Sequence, residues 1–78
     1  MPTIEIIDSI KILMYFRDHM PPHFHVEYNE YEVTIDIRTL EKLEGKMPNK
    51  PLKKALVWAK KNQGFLMEKW NEMNPNAK

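Results

Sequence analysis

Apolar residues alternate with polar ones through the first half of the chain and recur every three or four positions through the second. The first pattern is that of strands and the second that of a helix. A short β-branched run at residues 3–7 is followed by a turn signal, Asp8-Ser9, and by a longer apolar run at residues 10–17. In that run Ile10, Ile12, Met14 and Phe16 share one face, and Lys11, Leu13, Tyr15 and Arg17 share the other. Pro21-Pro22 then interrupts pairing, because proline has no N–H to donate. Residues 23–28 and 31–38 alternate around Asn29-Glu30, and asparagine tolerates the positive φ that a two-residue hairpin loop needs. Pairing Tyr28 with Tyr31 places Phe24, Val26, Val33, Ile35 and Ile37 on the core face. The other face then has Glu27 opposite Glu32, His25 opposite Thr34 and His23 opposite Asp36. A further short strand at residues 42–46 contains Gly45.

Pro48-Asn49-Lys50-Pro51 opens a helix, with Asn49 as its N-cap and proline tolerated in the first turn. Beyond it Leu52, Ala55, Leu56, Ala59, Leu66, Trp70 and Met73 form one apolar stripe, interrupted by Gln63 alone. The spacing predicts one helix over residues 49–73, with a kink at Gly64. The expected fold is a single α+β domain over residues 1–78. It has an antiparallel sheet of four or five strands (3–7, 10–17, 23–28, 31–38, 42–46) and one long C-terminal helix across the apolar face.

Composition narrows the function classes. Twelve Lys and Arg against eleven Asp and Glu leave a formal charge of +1, so attraction to nucleic acid must come from a local patch. The absence of cysteine removes disulfides, thiolate metal sites and a cysteine nucleophile, and fits a reducing compartment. No apolar segment approaches the ~20 residues of a membrane span, and Met-Pro-Thr-Ile-Glu lacks the pattern of a signal peptide. A cytoplasmic protein with no membrane contact is expected. Gly45 and Gly64 are too far apart in sequence to form a nucleotide-binding loop.

The chemistry-bearing residues are concentrated in Asp18-His19-Met20-Pro21-Pro22-His23-Phe24-His25. On a strand His-x-His sets both imidazoles on one face, and Asp36 opposite His23 could hold that ring in one tautomer. Three readings share these residues. The histidines can be structural, making polar contacts on the open sheet face. They can bind a divalent metal such as zinc, iron or nickel through His23, His25 and either Asp36 or His19, since imidazole and carboxylate suit these ions. Or His19, His23, His25 and Asp36 can do acid–base work without a cofactor, because imidazole takes and gives a proton near neutrality. In that case Tyr15, Arg17 and Arg38 would hold a phosphate.

A second feature lies on the helix, where Lys50, Lys53, Lys54, Lys60 and Lys61 cluster opposite the apolar stripe. They read either as a solvated face or as a phosphate-contacting surface, to which Lys50, Lys53 and Lys54 would contribute most. Trp58 and Phe65 lie on the flank, either at the edge of the core or as a platform for a partner.

The run from Met14 to Tyr28, with its Asp-His-x-Pro-Pro-His-Phe-His signature, resembles a family of short bacterial proteins classed only as a domain of unknown function. The likeness extends over the Met-Pro-Thr-Ile start, the Ile-Asp segment at Thr34 to Ile37, the Ala-Leu-x-Trp-Ala pattern at Ala55 to Ala59 and the late Trp70. The resemblance implies a small partner protein from a neighbouring gene, in an arrangement like a toxin–antitoxin pair. It assigns no role to any residue. Two function classes follow: a toxin-like component acting on RNA through its histidines, and a non-enzymatic antitoxin-like or regulatory binding module. Bare strand edges add a homodimer as a further expectation.

Overall fold

The computed structural model describes residues 3–15 and 19–75. Five strands, β1 (Thr3–Ile7), β2 (Ile10–Leu13), β3 (His23–Tyr28), β4 (Tyr31–Asp36) and β5 (Lys42–Lys46), form an antiparallel meander in chain order. Two helices follow, α1 (Asn49–Lys61) and α2 (Gln63–Met73). The tight turns use residues that accept a left-handed backbone: Asp8 and Ser9 at φ 46° and 69°, and Asn29 at φ 54°. The β3–β4 register is the expected one throughout, from Tyr28↔Tyr31 to His23↔Asp36.

The core lies between one sheet face and the helices. Ile10, Ile12 and Met14 join Phe24, Val26, Val33, Ile35 and Ile37, and meet Ala55, Ala59, Leu66, Trp70 and Met73. The two alanines leave room for α1 to lie close to the sheet. On the opposite sheet face Leu13 is also buried, although Lys11, two residues before it on the same face, is exposed. Tyr15 packs on His25 there, with ring centroids 4.6 Å apart, and covers part of a face that the alternation left open.

Four boundaries differ from expectation, each for a local reason. The helical region is two helices rather than one over 49–73. The break falls at Asn62, not Gly64. Asn62 Nδ2 donates to the Trp58 carbonyl at 2.7 Å, and its backbone N–H donates to Ala59 O at 3.0 Å instead of continuing the i−4 ladder. Asn49 is the first helical residue rather than the cap; Pro48 holds the cap position and no side chain caps it. Strand β4 ends at Asp36, not Arg38, because Asp36 Oδ1 accepts the N–H groups of Arg38 (2.7 Å) and Thr39 (3.1 Å) and closes a turn. Strand β2 ends at Leu13. The rest of the run expected to reach residue 17 includes Phe16 and Arg17, which lie outside the described residues.

The two glycines make opposite predictions. Gly45 sits at φ 91°, and a Cβ there would collide with the Glu32 carbonyl oxygen and approach Val33 Cα to 2.9 Å. Gly45→Ala should therefore cost ~2–3 kcal/mol in a denaturant titration. Gly64 lies inside α2 with nothing within 4 Å of an added Cβ. Gly64→Ala should stabilise by ~0.4–1 kcal/mol in the same titration.

Candidate functional site

The three histidines do converge. The His19 and His23 ring centroids are 5.2 Å apart, as are those of His23 and His25. Together with Pro21, Thr34 and Glu44 they line a recess of about 240 Å³. The hairpin register explains how. His25 points to the face away from the core, and Pro21-Pro22 bends the incoming chain so that His19 reaches the same place. Ile37 N–H donates to the Pro22 carbonyl at 3.0 Å, which ties the end of the proline segment to the residue after β4.

Each ring is held differently. His23 is buried, and its Nδ1 lies 2.6 Å from the Pro21 carbonyl oxygen. A carbonyl can only accept, so this nitrogen bears the hydrogen and Nε2 is the acceptor of the neutral ring. The His23 ring also packs on Trp70 of α2 at 5.1 Å, linking the recess to the core. His25 Nδ1 lies 3.3 Å from Glu32 Oε2 and 3.4 Å from Thr34 Oγ1, while its Nε2 is shielded from solvent. His19 is the exposed member of the trio.

The expected site is therefore assembled in part. His23 does face Asp36 across the strands, but the Asp36 carboxylate caps the following turn and the Pro21 carbonyl takes the His23 hydrogen. Among the described residues no group of three His, Asp or Glu side chains is arranged to hold a metal ion, neither His23 and His25 with Asp36 nor the same pair with His19. Tyr15 touches His25, and Arg38 lies one residue beyond the Ile37–Pro22 tie, at the same end of the sheet. Arg17 and Asp18 lie outside the described residues. Lys50, Lys53 and Lys54 line a separate groove against the β1–β2 turn and share no wall with the recess. Of the flanking aromatics, Trp58 packs against the core, whereas Phe65 is exposed, with Lys69 Nζ 6.0 Å from its ring centroid.

Three contributors escaped the sequence reading. Glu32 was paired only with Glu27 directly opposite, yet long side chains also reach diagonal neighbours two residues away on the same face, which is where His25 lies. Glu44 enters because β5 pairs it with Thr34. Trp70 was assigned to the core stripe, where it does belong, but it also backs His23. No helix among the described residues is long and apolar enough to cross a membrane.

No curated protein and no solved structure matches the chain. The family model for the domain of unknown function DUF4160 matches residues 9–71, a span that takes in every residue lining the recess, and the chain belongs to that family.

Proposed function

We propose that the histidine recess is a metal-independent acid–base site, and that the protein is the RNA-cleaving component of a two-protein, toxin–antitoxin-like pair. One observation supports this most. An exposed imidazole, His19, stands beside His23, whose tautomer is set by a backbone carbonyl. Cleavage of RNA needs two proton-transfer groups and no cofactor. One imidazole takes the proton of the ribose 2′-hydroxyl as that oxygen attacks phosphorus. The other gives a proton to the departing 5′-oxygen, leaving a 2′,3′-cyclic phosphate and a free 5′-hydroxyl. His19 and His23 fill these two roles. His25, anchored on Glu32 and Thr34, positions its neighbours, and Tyr15 and Arg38 stand at the end of the sheet where a phosphate would enter.

A second reading is favoured by the separation of the lysines from this recess: the protein acts by binding alone, as an antitoxin-like or regulatory module, and the histidines order the loop. Expression in a bacterial host separates the two. The acid–base reading expects growth arrest and loss of bulk RNA with wild type, relieved by the neighbouring gene's product and absent with His19→Ala. Equal growth of both strains would leave the binding module.

A further inference from the structure

A groove of about 720 Å³ runs between the β1–β2 turn and α1. Ile7, Val57 and Trp58 give it an apolar lining, and Val57 is 50% exposed. Lys50, Lys53, Lys54 and Lys61 stand around it against a single acid, Asp8, a local excess of three positive charges in a chain whose formal total is +1. The pair between Asp8 Oδ2 and Lys54 Nζ, 3.1 Å long and exposed on both sides, neutralises little of this. Among the described residues Lys50, Lys53 and Lys61 have no ion-pair partner. Beside the groove β1 ends the sheet, so one row of its backbone groups faces outward.

We propose that this groove docks an acidic segment of another protein, extended along β1, with apolar side chains between its carboxylates. The lysines would meet the carboxylates, the apolar lining would take the side chains, and the β1 edge would pair the backbone. A nucleic acid suits the site less well. Its phosphates would use the lysines but leave Ile7 and Val57 without a partner, and Trp58 is half-buried, packed against the core, rather than presented for stacking. A second copy of the chain suits it less well too. Its own edge strands lack the acidic complement, since β1 has one acid and β5 has two lysines to one acid. This inference is independent of the acid–base reading, since none of its residues lines the recess.

The test uses a fluorescent peptide of about eight residues that alternates glutamate and valine, titrated into the full chain. The backbone amide shifts of Ile7, Lys53 and Val57 are followed in parallel. Saturable binding that moves those amides is expected. It should weaken about tenfold in Val57→Gln, the share of one buried valine. A Lys50→Glu/Lys53→Glu/Lys61→Glu variant should weaken it by at least as much, and an all-glutamate peptide should bind wild type correspondingly more weakly. All these substitutions are at exposed positions, and circular dichroism confirms folding. No binding to wild type overturns the proposal, as does binding unchanged in Val57→Gln. Tighter binding of a single-stranded RNA that is lost in the lysine variant and unaffected by Val57→Gln would assign the groove to nucleic acid instead. Concentration-dependent dimerisation through the same amides would assign it to a second copy.

Discussion

Replacing Trp70 with alanine is expected to remove ~3–5 kcal/mol of stability, the usual cost of deleting a buried aromatic. Trp70 is 1% exposed, spans the space between α2 and the sheet, and packs on the His23 ring. A domain of this size has a net stability near the lower end of ~5–15 kcal/mol, so the loss consumes most of the margin. Each kcal/mol shifts the melting temperature of such a domain by ~4–8 °C, so a fall of at least ~12 °C should appear in a thermal melt followed by circular dichroism. Trp70→Phe is the control. Among the described residues Trp70 Nε1 has no hydrogen-bond partner, so phenylalanine gives up no bond and leaves no polar group stranded. It should cost less than ~2 kcal/mol. Equal losses for the two variants would show that the packing of this ring is not what holds α2 in place.

The second large effect concerns His19. Loss of one group from a proton-transferring pair lowers rate by ~10²–10⁴-fold. His19→Ala should show that loss in RNA cleavage while leaving stability within ~0.5 kcal/mol, because the side chain is exposed. His25→Ala should behave differently. It breaks contacts to Tyr15, Thr34 and Glu32 at once, so it should lower the melting temperature as well as the rate. A role for His19 that is only structural predicts the reverse: little change in activity and a measurable loss of stability.

Much of the fold was legible because the sequence alternates cleanly where one face is buried. The β3–β4 register followed from Asn29-Glu30 and from the set Phe24, Val26, Val33 and Ile35, since a one-residue slip would put Val33 and Ile35 on the face opposite Phe24 and Val26. The break between the helices was not legible. The apolar stripe continues across Asn62, and only the Asn62 side-chain bond to Trp58 O, a local competition with the backbone, ends α1 there. Gln63, the one polar member of the stripe, is explained by the same break: its Nε2 donates to the carbonyls of Ile37 and Arg38 and fastens the start of α2 to the turn after β4.

The site was legible in place but not in wiring. That His23 and His25 share a face with Thr34 and Asp36 follows from strand period alone. Which carboxylate meets which imidazole does not. Asp36 turns to its own loop because two backbone N–H groups lie within reach of it, and Glu32 reaches His25 across the diagonal instead. The convergence of His19 depends on the Pro21-Pro22 bend, and the angle of that bend has no periodic signature in the sequence. The lysines and the histidines both suit phosphate, and the sequence does not say whether they share a surface. Tertiary structure separates them, since α1 lies on the core face and the recess opens on the other.

The central claim is that the histidine recess transfers protons without a metal, and the rate of RNA cleavage in excess chelator tests it most directly. A single-stranded RNA is incubated with purified wild-type protein and with His19→Ala, both shown to be folded, and the ends of the products are identified. The acid–base account predicts cleavage by wild type that leaves 2′,3′-cyclic phosphate and 5′-hydroxyl ends, reduced by ~10²-fold or more in the variant. Cleavage at the same rate in His19→Ala, cleavage that requires added metal, or no cleavage by wild type at all would contradict it.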